Sequence, residues 1–271
     1  MKKNSYQLLD SGDSQKLEQF GEIILTRPCP QAIWAKQHPQ KWSTSHAEFS
    51  REHKGGWLGK FPKDWIIELG GLQFKVAPTD FGSIGVFPEH AALWQDLRSL
   101  SNEATILNLF ACSGGATMAL AQAGAKVCHL DAAKGMVDVA RANAAINGME
   151  KAAIRWIVDD AIKFLKREGR RDVRYDAILL DPPTFGRGSS GEVFKIEKDI
   201  IPLLELCKSL LSNKPRFIMF SCHTPGITPI ALHHITSQIF KSAKIETGEM
   251  LLASQDALPI PSGSFAKIIL C

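Results

Sequence analysis

From about Leu93 onward, short apolar runs alternate with longer amphipathic ones. TILNLF (105–110) precedes GGATMALAQAGA, which reads as a helix, and KVCHLD (126–131) precedes AKGMVDVARANAAING, a helix that stops at Asn147-Gly148. IRWIVDD leads to the helix AIKFLKREG. YDAILLD leads through a proline loop to EVFKIEKDIIPLLELCKSLLS, a predicted helix whose apolar face is marked by Phe194, Ile201, Leu204 and Leu211. RFIMFS leads to TPIALHHITSQIF, and two strand-like runs, ETGEMLLA and SFAKIILC, close the chain. Strands alternating with helices imply parallel βαβ units. Five such units and a terminal strand pair predict an α/β fold, a doubly wound, seven-stranded, mostly parallel sheet.

The earlier part of the chain has another texture. It holds much of the proline and most of the tryptophans, Trp34, Trp42, Trp57 and Trp65, with Trp94 just beyond. WIIELGGLQFKVAP alternates and turns on Gly70-Gly71, the signal of a two-residue hairpin. SIGVF (83–87) reads as a third strand. The expected organisation is a small β-rich N-terminal domain over 1–92 and a larger domain over 93–271.

Composition narrows the class. Of 271 residues, 45% are hydrophobic and 22% charged, which marks a globular protein rather than a disordered one. The formal charge of +4 permits nucleic acid as a partner without requiring it. Met1–Lys3 is basic but a polar stretch follows, so no signal peptide is expected. The most apolar stretch, 105–130, is interrupted by Asn108, Ser113, Gln122 and Lys126 and does not suit a bilayer. The six cysteines show no paired spacing, so neither a metal site nor a disulfide framework is indicated, and a reduced cytoplasmic protein is expected.

In a sheet of this kind ligands bind at the carboxyl ends of the strands. Those ends read Phe110-Ala111-Cys112-Ser113-Gly114-Gly115, then Asp131, Asp159-Asp160, Asp181-Pro182-Pro183 and Ser221-Cys222-His223. Three successive strands finish on acids, and carboxylates need partners there. The glycine turn admits a ligand close to the backbone. It lacks the G-x-G-x-x-G spacing of a pyrophosphate cradle, which argues against a nicotinamide oxidoreductase. Asp131 is placed to accept from ribose hydroxyls, and Asp160 to accept from an adenine amino group; each also suits a helix cap. A ligand with a ribose and an adenine but no pyrophosphate seat fits S-adenosylmethionine.

On these motifs the chain resembles class I S-adenosylmethionine-dependent methyltransferases with a Rossmann-like fold. It is most similar to the bacterial group around the 23S ribosomal RNA cytosine-C5 methyltransferases. NLFACSGGATMALAQAGA is similar to that group's first motif, HLDAAKGMVDVARANAAING to its second, DPPTFGRG to its fourth, and FSCHTPG to the motif carrying its cysteine. LPIPSGSFAKIILC resembles its last strands. YQLLDSGDSQKLEQFG and FGSIGVFPEHAALW resemble the N-terminal part of a branch without an evident PUA-type RNA-binding domain. The resemblance implies that Phe110, Ala111, Ser113 and Gly114 line the methionine end of the cofactor and that Asp131 holds the ribose. It implies that Asp160 and Ala161 face the adenine, while Asp181, Pro182 and Phe185 bound the transfer site. It departs at Asn108, where many class I enzymes carry an acid, and at Thr184, which separates the prolines from the aromatic residue that amino-group methyltransferases place directly after them.

The acceptor side has its own logic. Pro182 keeps Asp181 extended, and the two prolines make a stiff shelf without donors. Phe185 is a candidate to stack on an unstacked RNA base. Cys222 is a candidate nucleophile toward cytosine C6, with His223 beside it expected to lower its pKa. Two basic stretches are candidate phosphate contacts or plain solvated loops: Arg51, Lys54, Lys60 and Lys63 among Trp57, Phe61 and Trp65, and Lys166, Arg167, Arg170, Arg171 and Arg174. The expected activity is methyl transfer to RNA, ribosomal RNA and cytosine C5 first. The alternatives are a small-molecule or protein substrate, or a cofactor-binding module that assists a partner and catalyses nothing.

Overall fold

The computed structural model describes residues 5–52, 56–188 and 191–270. Lys54, one of the candidate phosphate contacts, lies outside them. The chain divides into two compact units. The first comprises 1–91 with 251–262, the second 92–250 with 263–271. The sequence suggests a break near residue 92. The chain divides after Ala91, and a short segment near the C-terminus, Leu251–Ser262, belongs with the first unit rather than the second.

The first unit is built of short antiparallel strands. β1 (Tyr6–Gly12), β2 (Gln15–Phe20), β3 (Ile23–Pro28), β4 (Ala47–Phe49) and β5 (Trp57–Gly59) form one sheet in that order, with only the β3–β4 pair parallel. β6 (Trp65–Leu69) and β7 (Leu72–Val76) form the hairpin that the alternation predicts. Gly70 and Gly71 take φ of 59° and 79°, the left-handed pair that matches strand twist in a tight hairpin. SIGVF is not a strand. Ile84 and Val86 are buried, but Gly82 and Gly85 take φ of 79° and 84°, which breaks the extended run. The late segment contributes Leu252 and Ile260 to a cluster with Leu8, Cys29 and Ala32. Glu18 is fully buried here, and Arg27 Nη2 at 2.6 Å and the Tyr6 hydroxyl at 3.0 Å supply its partners. Although burial acts against its charge, Arg27 and Lys16 hold its carboxyl below the usual range.

The second unit opens with α1 (Ala91–Ser99), which packs Leu93, Trp94 and Leu97 inward. Strands and helices then alternate: β8 (Thr105–Leu109), α2 (Gly115–Gln122), β9 (Lys126–Asp131), α3 (Lys134–Ile146), β10 (Ile154–Val158), α4 (Ala161–Arg170) and β11 (Ala177–Leu180). A small ribbon, β12 (Phe185–Arg187) and β13 (Val193–Lys195), leads into α5 (Ile196–Ser209), followed by β14 (Phe217–Cys222), α6 (Pro229–Ile239), β15 (Lys244–Leu252) and β16 (Ile260–Ile269). The sheet has seven strands in the order β10-β9-β8-β11-β14-β16-β15, with β8 to β11 and β14 parallel and β16 antiparallel to β14. This is the doubly wound architecture the pattern predicts.

Burial follows position in the sheet. Central β11 (AILL) and β14 (FIMFSC) are buried at every residue, as strands covered on both faces must be, whereas edge strand β10 is only partly covered. The helix predicted from EVF onward starts later, because Val193–Lys195 pairs with Phe185–Arg187. Its buried face is Ile196, Ile200, Leu203, Leu204 and Cys207, at helical spacing. Ile201 falls off that face and is 44% exposed, and Phe194 belongs to the ribbon. Each fully buried Leu, Ile or Phe contributes about 1.5–3 kcal/mol of transfer free energy. Among the described residues no helix is long and apolar enough to cross a membrane. The described cysteines Cys29, Cys112, Cys128, Cys207 and Cys222 are free thiols.

Candidate functional site

Because β8, β9, β10, β11 and β14 run parallel, their carboxyl ends share one edge of the second unit. The loop after β8 turns sharply. Phe110 and Cys112 take left-handed φ of 55° and 49°, and Gly114 takes 87°. Two residues with side chains held in this region within one loop are costly, and such strain gathers where a ligand is gripped. Gly114 and Gly115 also have no room for a side chain: a Cβ on Gly114 meets Ala140 at 3.0 Å, and one on Gly115 meets the Trp94 ring at 2.3 Å. Ser113 is buried, and its carbonyl accepts from Asn143 Nδ2 at 3.0 Å.

Asp131 closes this loop from the end of β9. Its Oδ2 accepts from the Cys112 N–H and its Oδ1 from the Ala133 N–H, each at 2.9 Å. Each oxygen keeps one further acceptor position, so the carboxylate is oriented by main chain and still able to receive a pair of hydroxyls. The Ala111 N–H donates to Leu130 O at 3.0 Å, and the Asp159 N–H to Asp131 O at 3.2 Å, which fastens the three loops together. Asp160 caps α4, its Oδ1 accepting from the Lys163 N–H at 2.9 Å, and the buried Ala161 begins the helix. Asp159 is engaged by Arg167 at 2.6 Å.

Beneath the loop lies a buried polar chain absent from the sequence reading. Asn108 Nδ2 donates to Thr117 Oγ1, which lies 2.9 Å from His129 Nδ1. His129 Nε2 is buried without a hydrogen-bond partner. Burial, helped by the Arg141 charge, pulls the His129 pKa down to about 3.

The acceptor side is organised by side chains. Asp181 Oδ1 accepts from Ser221 Oγ at 2.9 Å, and His223 Nε2 stands 3.6 Å from the same oxygen. Pro182 is buried, while Pro183 and Thr184 are exposed. Thr184 Oγ1 lies 2.8 Å from Thr224 Oγ1, tying the proline loop to the loop after β14. Phe185 is 49% exposed, whereas Phe194 turns inward against Phe110 at 5.6 Å between ring centroids. Gly263 also has a steric reason, since a Cβ there meets Cys222 O at 2.8 Å and His223 Nδ1 at 3.1 Å.

The expected lowering of the Cys222 pKa by His223 is not what the surroundings of the thiol give. Successive residues at a strand end point to opposite faces. Cys222 turns inward and is 1% exposed, while His223 turns out toward Asp181. Burial first, and then the Asp181 carboxylate, push the thiol pKa up rather than down, against hydrogen bonds from Thr224 that favour the thiolate. Cys112, beside Asp131, is pushed up to about 11 by burial and that charge.

The basic stretches divide in the same way. Arg51, Lys60 and Lys63 are exposed, but Trp57 is spent on Phe49, Phe61 and the Thr79 carbonyl, and Trp65 donates to Phe20 O at 2.9 Å. In the second stretch Arg167, Arg171 and Arg174 face Asp159, Glu168 and Asp172 of this chain. The sequence reading missed α1 with Trp94, the Asn108–Thr117–His129 chain, Thr224 and the β12–β13 ribbon, and it gave Ser221 no partner. Only the ribbon had a signal, the alternation of F-x-R and V-x-K around glycine and serine.

A doubly wound sheet with a strained glycine turn and an oriented carboxylate on the next strand defines an α/β protein of the kind that takes its ligand at the strand ends. The Asp131 carboxylate oriented by two main-chain N–H groups and the close-packed glycine turn are features that a ligand such as S-adenosylmethionine requires. The family model for S-adenosylmethionine-dependent methyltransferases matches residues 13–244, and the chain belongs to that family. It uses S-adenosylmethionine. A crystal structure of a SAM-dependent methyltransferase from Agrobacterium tumefaciens is 32% identical, covers 98% of this chain and 90% of its own, and superposes with a TM-score of 0.93. A methyltransferase structure with SAH bound, SMU.776, is 20% identical with a TM-score of 0.81 over 100% of this chain and 76% of its own, which shows the shared fold. Proteins named ribosomal RNA large subunit methyltransferase K/L are also similar: 31% identical over 54% of this chain in Syntrophotalea carbinolica, and 34% over 54% in Pseudomonas putida. The chain spans about a fifth of the length of these relatives, the aligned part being 20% of each.

Proposed function

We propose that the chain transfers the methyl group of S-adenosylmethionine to a base of ribosomal RNA in the cytoplasm. The relatives named for large-subunit ribosomal RNA support the substrate class. The observation that carries the reading is the half-exposed Phe185 at the end of the Asp181-Pro182-Pro183 shelf, an aromatic face beside the strand ends where an extruded base can stack. In this reading Phe110, Ala111, Ser113 and Gly114 line the methionine end of the cofactor and Asp131 receives the ribose hydroxyls. Asp160 and the Ala161 N–H face the adenine. Asp181 and Pro182 hold the acceptor in line with the sulfonium methyl, a task of position more than of proton chemistry. The first unit, with its exposed Arg51, Lys60 and Lys63, contributes to substrate recognition.

Cytosine C5 as the acceptor demands a thiolate, which adds to C6 before C5 takes the methyl from the sulfonium; a base then removes the C5 proton, the C6–S bond breaks and the thiolate leaves. Cys222 is the candidate. Its burial and raised pKa favour a second reading, an acceptor nitrogen or oxygen that needs no covalent intermediate. Incubation of total RNA with labelled cofactor, followed by nucleoside analysis, tests both. Label in a ribosomal nucleoside is expected, and label only in protein or small molecules overturns the RNA assignment. RNA containing 5-fluorocytosine traps a covalent adduct if Cys222 acts as nucleophile, and Cys222→Ser then loses nearly all turnover. Full turnover in Cys222→Ser, with no adduct, assigns the second reading.

A further inference from the structure

The ribbon β12–β13 has two unlike faces. Phe185 stands opposite Lys195, Gly186 opposite Phe194, and Arg187 opposite Val193. Residues directly opposite in an antiparallel pair share a face, as do residues two apart on one strand. Phe185, Arg187, Val193 and Lys195 therefore form one face, and Gly186 and Phe194 the other. The second face is packed: Phe194 is 9% exposed and lies on Phe110, and a Cβ on Gly186 meets Pro183 Cγ at 3.2 Å. The first face is open at all four positions, with Phe185 and Val193 at 49% and 50% exposure. It carries two cations and no acid. The Arg187 guanidinium sits 5.7 Å from the Phe185 ring centroid. Glu192, the acid next in sequence, is engaged by Lys163.

The ribbon is held at its root as well as along its back. The Ile196 N–H donates to Thr184 O at 3.2 Å, the Lys195 N–H to Asp199 Oδ2 at 2.7 Å, and Thr184 meets Thr224. A fixed two-stranded surface with an open aromatic ring between two cations has the chemistry that binds single-stranded nucleic acid: the ring stacks on a base, and the cations hold flanking phosphates. Its distance from the shelf in sequence is nil, since Phe185 follows Pro183 and Thr184.

We propose that the open face of this ribbon, Phe185 with Arg187, Val193 and Lys195, is the platform for the single-stranded RNA segment that carries the target base. The proposal rests on the RNA reading above and adds the surface that grips the strand. Charge complementarity decides the occupant: the face offers cations and an aromatic ring, which suit a phosphate-linked, base-bearing strand better than an acidic or apolar peptide.

The test is binding of a labelled single-stranded oligoribonucleotide of ribosomal sequence to the whole chain loaded with S-adenosylhomocysteine, across a salt series. The Arg187→Gln/Lys195→Gln variant is expected to bind about tenfold more weakly and to lose about 1.4 from the slope of log affinity against log salt, two phosphate contacts at about 0.7 each. Phe185→Ala is expected to weaken binding by about tenfold with an unchanged slope, and Phe185→Tyr to restore it. S-adenosylhomocysteine affinity is the folding control and stays at the wild-type value in all variants. Wild-type RNA binding with unaltered affinity and slope in the variants overturns the platform while leaving the RNA reading intact. A wild type that binds no RNA overturns both. Variants that lose methyl transfer to a protein acceptor, with no RNA binding in the wild type, assign the face to a peptide instead.

Discussion

At the ends of β8, β9 and β10 the polar contacts are made largely by main chain: the N–H groups of Cys112 and Ala133 fix the two oxygens of Asp131, and the Lys163 N–H fixes Asp160. At the ends of β11 and β14 they are made by side chains, with Ser221 and His223 on Asp181 and Thr184 on Thr224. The first arrangement depends on the two carboxylates of Asp131 and Asp160 and otherwise only on the backbone path. The second is rewritten by single side-chain changes. On the proposed reading this is the division expected of a protein whose cofactor is shared across a family and whose acceptor is not: the common ligand would be met largely by main-chain geometry, and the variable one by side chains that drift alters readily.

The sharpest way to break the comparison is on the acceptor side. Asp181→Ala is expected to lower methyl transfer by about 100-fold or more, because loss of position costs on that scale. Calorimetry should show cofactor affinity largely retained. If cofactor binding falls as far as turnover, the two halves are not separable. On the cofactor side, Asp131→Ala is expected to weaken cofactor binding by roughly 1–3 kcal/mol, the worth of charge-assisted hydrogen bonds. It should also lower the melting temperature, since the Cys112 and Ala133 N–H groups lose their acceptor. An unchanged melt would mean that water replaces the carboxylate there.

A gentler probe uses pH. His129 is neutral in the folded chain with a pKa of about 3, below the ordinary histidine value of 6.5. The unfolded state therefore binds more protons between these values, so stability is complete above pH 6.5 and falls as the pH drops through that window. The loss is about 2 kcal/mol by pH 5 at most, read as a denaturant midpoint. His129→Gln should flatten this part of the profile, and an unflattened profile would assign the acid sensitivity elsewhere.

The two sides also differed in how far the sequence revealed them. The parallel strands were legible because their apolar runs are short and flanked by capping and glycine signals, and the strand-end acids followed from that order. Asp131 and Asp160 lie where their places in the runs put them. The helix α1 was missed because Trp94 packs on Gly115, a contact between residues on separate elements that no local period announces. SIGVF misled because its alternation is real, with Ile84 and Val86 buried, while Gly85 within it and Gly82 just before it take conformations a strand does not use. The setting of Cys222 was not legible because local sequence does not say which way a strand-end side chain turns: the thiol is buried, while His223 stands 3.6 Å from Asp181. The Leu251–Ser262 segment was assigned to the larger domain because nothing in its composition names the cluster of Leu8, Cys29 and Ala32 that receives it.

The buried thiols have a consequence for measurement. Cys29 lies in the first unit, and Cys128, Cys207 and Cys222 lie in the second. Burial raises the pKa of each, with Cys128 at about 11 and Cys207 at about 12. Alkylating reagents attack the thiolate, so these sulfurs stay silent until the surrounding structure opens. Among the described residues the chain thus carries its own set of stopwatches, one in the first unit and three in the second. Mass spectrometry of time-quenched alkylation reads them separately, and their order of firing gives the order in which each unit unfolds.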